Sequence, residues 1–172
     1  MSRERQSVSD SIAGAVIDCL EFARGGAVLD RSVGLDELPR LADLLGTTAG
    51  RLSVRLEGFR DREGKSWLQL AIAGEPVLCC QRCLGGMKFP LAIRSRLQLV
   101  APGEEWPDED LVDDSADAIA AEKALAVLSL IEDEVLLALP IAPRHEQCES
   151  PGANDGVHGL TPFAALAALK KH

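Results

Sequence analysis

Between Arg51 and Val100 the apolar residues recur at every second position. Leu52, Val54 and Leu56 alternate with Arg51, Ser53, Arg55 and Glu57. Leu68, Leu70 and Ile72 do the same through Trp67–Ala73, and Leu91, Ile93, Leu97 and Leu99 do so within Phe89–Val100. A period of two sends successive side chains to opposite faces of an extended chain, so each run predicts a strand with one buried face. Val77–Cys80 reads as a further short strand. The polar turn Asp61–Gly64 and the break at Gly74-Glu75-Pro76 leave short connections, which favour antiparallel neighbours. A chain committed to such a sheet must cover its apolar face with something else.

The cover is legible further on. Over Glu122–Leu139 the period changes to that of a helix, with Leu125, Leu128, Ile131, Val135 and Leu139 on one stripe and Leu130, Leu136 and Leu137 widening it. So broad an apolar surface suits packing across a sheet, and Pro140 and Pro143 end the helix. Shorter helices are expected over Ala15–Arg24, stopping at Gly25-Gly26, and over Asp36–Leu45, where Leu38, Leu41, Leu44 and Leu45 are helically spaced. Together these patterns predict an α+β domain spanning 1–148: an antiparallel sheet of four or more strands, one amphipathic helix across it, and short N-terminal helices. An acidic loop falls at 101–118. Residues 149–172 read as a flexible tail closing in a short helix, where Thr161-Pro162 supplies a capping hydroxyl and a first-turn proline and Phe163, Leu166 and Leu169 share a face.

With 172 residues, the chain is long enough to bury a core without disulfides. Its 47% hydrophobic and 26% charged residues exclude wholesale disorder. Aromatic residues are only 3%, with no tyrosine, which argues against a sheet that stacks single-stranded bases one by one. No apolar stretch approaches the ~20 residues of a membrane span, and Met1–Asp10 leads into no signal-like apolar run, so a cytoplasmic location is expected. The net charge of −9 is unevenly spread: residues 1–100 sum to +2 and residues 101–172 to −11. Glu104–Asp117 alone holds eight acids and no base.

The sharpest local signal is Cys80-Gln81-Arg82-Cys83-Leu84-Gly85-Gly86. Two thiolates separated by two residues reach one Zn²⁺ at about 2.3 Å each, and Gly85 offers the positive φ that such a knuckle often uses. The only comparably spaced partner pair is His145 and Cys148, which would complete a Cys₃His set. Two other readings of Cys80 and Cys83 stay open: a thiol redox pair, and a pair of small buried side chains with no ligand. Cys79 is expected to face the core opposite Cys80, Cys19 to lie in the core, and His158 and His172 to have no role.

A second constellation is basic. On strand alternation Lys88, Arg94, Arg96 and Gln98 share a face, Arg51 and Arg55 occupy the polar face of the first strand, and Arg82 sits in the knuckle. If those strands share a sheet, their guanidiniums could hold phosphates bidentately. The competing reading is a solvated face offset by nearby acids. The three acids Glu132, Asp133 and Glu134 point in different directions around a helix and read as a solvated edge rather than an acid–base pair. There is no phosphate-binding glycine loop and no nucleophile elbow, so no enzyme and no small-molecule substrate are expected.

Taken together, Cys80-Gln81-Arg82-Cys83-Leu84 at a strand end, Ile131–Pro140 followed by Pro143, His145 and Cys148, and the closing Pro162-Phe163-Ala164 with Leu166–Lys171 resemble the YceD-like large ribosomal RNA subunit accumulation proteins. The resemblance implies a non-enzymatic role in accumulation of large-subunit ribosomal RNA, in the bacterial cytoplasm or a derived organelle. The partner expected for such a role is pre-large-subunit ribosomal RNA or a ribosomal protein. On the residue pattern, Arg51, Arg55, Arg82, Lys88, Arg94 and Arg96 are the candidate RNA contacts, and the helix with Phe163, Leu166 and Leu169 would dock on a partner or on the protein itself. Rival functions are an adaptor that contacts only a basic ribosomal protein, and a Cys-x-x-Cys thiol oxidoreductase.

Overall fold

The computed structural model describes residues 12, 14–107 and 116–148. Its chain order is β1 (Val16–Ile17), α1 (Cys19–Arg24), β2 (Val28–Gly34), two single 3₁₀ turns (Leu35–Glu37 and Pro39–Leu41), β3 (Arg51–Arg60), β4 (Ser66–Gly74), β5 (Val77–Cys79), β6 (Gly86–Lys88), β7 (Leu91–Val100), β8 (Asp117–Ala120), β9 (Leu125–Ala126) and α2 (Val127–Ala138). The fold is α+β, dominated by sheet.

The period-two runs become the centre of a five-stranded sheet in the order β2-β3-β4-β7-β8. Leu52, Val54 and Leu56 of β3, Leu68, Leu70 and Ile72 of β4, and Leu91, Leu97 and Leu99 of β7 are buried on one side. The first three pairings are antiparallel. However, β2 joins from a stretch where no strand is expected, and Val77–Cys80, expected as the third strand of the meander, lies outside this sheet, so β4 pairs directly with β7. The last pairing is not antiparallel: β8 runs parallel to β7, with Leu97 opposite Asp117 and Val100 opposite Ala120, so the sheet is mixed. Parallel neighbours need a long return connection, and the acidic stretch after β7 supplies it; its residues 108–115 lie outside the described residues.

Helix α2 covers the apolar side with Val127, Ile131, Val135 and Leu139, one every four residues, together with Leu130. It starts five residues later than the periodicity predicts, because Leu125 and Ala126 pair with Ile17 and Val16 as a two-stranded ribbon. The apolar stripe is also narrower, since Leu137 is 81% exposed.

The N-terminal helices are shorter than expected. Asp18 caps α1, its Oδ1 accepting from the Glu21 N–H at 3.0 Å, but the preceding Val16–Ile17 is strand. Asp36–Leu45 forms no continuous helix. Pro39 has no N–H to donate and disfavours helical geometry at Leu38, which sits at φ −113°, ψ 74° between the two 3₁₀ turns. Leu35, Leu38 and Leu41 are nonetheless all buried. The acidic triplet on α2 is not a solvated edge either. Glu132 is only 5% exposed and accepts from the Arg40 N–H at 2.9 Å; Asp133 pairs with the Arg40 guanidinium, and Glu134 accepts from the Ser95 hydroxyl.

Between β4 and β7 the chain makes a small ribbon, β5 against β6, with Leu78 opposite Met87 and Cys79 opposite Gly86. The ribbon is tied to the body by Gly46 N–H to Val77 O (2.8 Å) and Cys79 N–H to Leu44 O (3.0 Å). Among the described residues no helix is long and apolar enough to cross a membrane. The expected tail helix with Phe163, Leu166 and Leu169 lies outside the described residues.

Candidate functional site

The loop at the tip of the β5–β6 ribbon is a tight turn. Cys80 N–H donates to Gly85 O, and Leu84 N–H donates to Cys80 O, each at 2.9 Å. The residue in left-handed backbone geometry is Leu84 (φ 59°), not Gly85. That conformation costs a non-glycine residue on the order of 1–2 kcal/mol, and Leu84 adopts it while largely exposed. Beyond α2, Pro140 and Pro143 turn the chain back to this loop, where Pro143 O accepts the Gln81 N–H at 2.8 Å. The Arg82 guanidinium reaches across to Cys148 O at 2.9 Å.

These links bring the donor atoms of Cys80, Cys83, His145 and Cys148 within 4.8 Å of one another. Cys80 Sγ lies 3.8 Å from Cys148 Sγ, and Cys83 Sγ lies 3.4 Å from His145 Nδ1. Zn–S bonds of 2.3 Å and Zn–N bonds of 2.0–2.1 Å in a tetrahedron place neighbouring sulfurs about 3.8 Å apart and sulfur and nitrogen about 3.6 Å apart. These two distances are close to the tetrahedral values, and the four donors together could hold a metal ion. His145 Nε2 lies 3.2 Å from Gly86 O; donating there leaves Nδ1 free to coordinate, the usual way an outer partner fixes a ligand's tautomer. The Cys80 thiol is pulled down to about 5, first by the backbone N–H of Cys83 and, against the upward push of burial, by those of His145 and Arg82. Burial, and then hydrogen bonding to the Cys80 and Cys83 sulfurs, push the Cys148 thiol up. A bound cation would deprotonate all three.

Cys19 is buried and its thiol is pushed up by that burial, as befits a core residue. Cys79 is not core: it is half-buried, with its sulfur 3.6 Å from Leu84 O. The reason is strand alternation: Leu78 and Cys80 are the buried pair, at 1% and 0% exposure, and Cys79 between them points the other way.

The basic residues divide. Arg51 and Arg55 on β3 and Arg94 and Arg96 on β7 share the open face of the five-stranded sheet, across which Arg55, Ala71 and Arg94 stand in one row. Arg82 and Lys88 are elsewhere: the first braces the cysteine loop, and the second lies on β6, paired with Glu75 at 2.9 Å. On the open face Arg51 donates to Ser32 Oγ and Ser32 O at 2.9–3.1 Å. Arg55 bridges Glu57 and Asp30, the latter at 3.0 Å. Arg94 has no side-chain partner among the described residues. Arg96 lies over the Trp67 ring, 5.0 Å from its centroid, and Trp67 in turn stacks on Phe59 at 6.3 Å with 9° between planes. Composition hid this aromatic pair. Its signal was positional, because Phe59 and Trp67 share the strand phase of Arg51 and Arg55.

This is an α+β protein with a cysteine–histidine corner joining a β-ribbon to the end of its covering helix. The profile of the family described as large ribosomal RNA subunit accumulation protein YceD matches residues 68–170, which include that corner and β7, and the chain belongs to this family. A large ribosomal RNA subunit accumulation protein YceD from Haemophilus influenzae is 28% identical over 149 residues, covering 79% of this chain and 83% of that protein. No solved structure matches the chain.

Proposed function

We propose that the protein is a non-enzymatic factor of large-subunit ribosome biogenesis in the cytoplasm, promoting accumulation of the large-subunit ribosomal RNA by binding immature particles. Family membership supports the pathway, and the four-donor corner supports the mode of action. Its three sulfurs and one imidazole suit Zn²⁺. Four protein ligands leave no open position for a reacting water, which is the mark of a structural rather than a catalytic centre. Held there, the ion would fix the exit of α2 to the β5–β6 ribbon.

The thiol oxidoreductase reading is disfavoured by burial, because an attacking thiol must meet its substrate and Cys80 is fully covered. The adaptor reading draws on the net charge of −9, which would attract a basic ribosomal protein.

Sedimentation of tagged protein through a ribosome-profile gradient tests the role. Co-migration with precursors of the large subunit is expected, and its absence from those fractions would overturn the assignment. Pull-downs with and without nuclease separate RNA contact from a protein-only adaptor, whose association would resist the nuclease.

A further inference from the structure

Resting on the role in ribosomal RNA accumulation given above, we propose that the open face of the five-stranded sheet is a seat for single-stranded RNA, centred on Arg94, Arg96, Trp67 and Phe59. Asp61, in the turn between β3 and β4, accepts the Trp67 Nε1–H at 2.8 Å at one end of this face. On β2, β3, β4 and β7 the face carries four guanidiniums (Arg51, Arg55, Arg94, Arg96) and two carboxylates (Asp30, Glu57). Both carboxylates are engaged by Arg55. Among the described residues Arg51, Arg94 and Arg96 have no acidic partner, which leaves a cationic strip in a chain whose overall charge is −9. The sheet's other side is packed against α1 and α2, whereas among the described residues no helix covers this face.

Register sets out the strip in rows. Asp30, Arg55, Ala71 and Arg94 form one; Val28, Glu57, Gln69 and Arg96 form the next; Phe59, Trp67 and Gln98 form the third. Same-face rows are about 6.7 Å apart, two residues of strand rise. A cation, a second cation and an aromatic platform therefore follow one another along β7 and β4. Arg96 over Trp67 joins the last two, pairing a positive charge with a stacking surface. On the other side of Arg94 the floor drops into a shallow trough of about 640 Å³ lined by Ser53, Ala71, Ala73 and Ala92, with Arg55 and Arg94 as walls.

That combination selects an unpaired strand. Phosphates meet Arg94 and Arg96, one base stacks at Phe59–Trp67, and a second lies on the small-residue floor with the Ser53 hydroxyl and Asp30 carboxylate within its reach. Stacking needs exposed base faces, which a duplex keeps internal. A duplex would meet the arginines through phosphates alone and leave the aromatic pair unused.

The test uses the full-length chain carrying Trp106→Phe, so that Trp67 is the sole fluorophore. It is titrated with a short single-stranded RNA of mixed sequence, and separately with that strand annealed to its complement. The single strand is expected to quench Trp67 and to bind at least about tenfold tighter than the duplex. Arg94→Ala with Arg96→Ala, both at exposed positions, should weaken single-strand binding about tenfold or more. The same pair should lower the salt dependence by about 1.4, the release of two phosphate contacts at roughly 0.7 each. Unchanged affinity in the double variant, or equal affinity for the duplex, would overturn the proposal. So would a protein that co-sediments with precursor particles yet binds no RNA strand, an outcome that points to a protein partner and spares the biogenesis role. RNA binding by a protein absent from those particles would instead uphold the seat and remove the biogenesis role.

Discussion

The sulfurs of Cys80 and Cys148 lie 3.8 Å apart although 68 residues separate them in the chain. Between them run two strands of the main sheet and the whole of the covering helix. The corner where they meet is a tertiary clasp.

If the clasp holds zinc, freshly purified protein should contain about one equivalent by elemental analysis. Cys148→Ser should lower that markedly, whereas Cys79→Ser, outside the donor set, should leave it unchanged. Zinc at a thousand times its Kd adds about 4 kcal/mol to stability. For a chain of this size that corresponds to roughly 8–16 °C in Tm, readable by thermal melting with and without chelator.

Gly58 lets α1 lie against β3. A Cβ at this position would come 2.6 Å from Phe22 O and 2.8 Å from Ala23 Cα, both in α1. Backbone gives way less readily than a side chain, so Gly58→Ala should destabilise by about 1–3 kcal/mol, and Gly58→Val by more. Urea denaturation should show this as a lower midpoint at constant slope.

Two adjacent acids on α2 should respond differently. Glu132→Ala removes the acceptor of the Arg40 N–H inside the structure and should cost about 1–3 kcal/mol. Asp133→Ala breaks a pair whose side chains are both about half exposed and should cost less than about 1 kcal/mol. Glu132→Gln, which keeps an acceptor oxygen, should recover most of the loss.

Asp61 makes the Trp67 environment sensitive to acid. Its Oδ2 accepts the Trp67 Nε1–H at 2.8 Å. That bond, with the backbone N–H groups of Lys65 and Glu63, holds its carboxyl below the ordinary carboxylate value. A depressed folded pKa gives stabilisation that is complete above the unfolded value of about 3.9 and fades as pH falls through the folded one. Trp67 fluorescence should therefore stay constant from neutral pH to about 4 and change below it. Asp61→Asn should abolish that acid limb.

Period-two patterning was enough to place β3, β4 and β7, because a strand with one buried face writes its burial directly into alternate residues. The two ends of the cysteine–histidine corner were legible as well, from ligand spacing at Cys80–Cys83 and His145–Cys148. Edge strands were not: β2 is only half-buried along most of its length and shows no clean alternation, and β8 is four residues long. The helix expected over Asp36–Leu45 fails at Pro39, a local signal that the leucine spacing outweighed.

The sequence by itself determined which residues are apolar in which rhythm, and hence the sheet's inner face, the covering helix and the identity of the four donors. Tertiary structure alone decided that β8 joins in parallel, that Leu84 takes the strained position in the cysteine loop, and that Arg94 and Arg96 stand beside Trp67 with no ion pair among the described residues, while Arg82 braces the cysteine loop and Lys88 pairs with Glu75. Local patterns fix how each segment buries its own side chains. Which segments then become neighbours depends on cross-strand register and chain return, and these are properties of pairs of segments far apart in the chain.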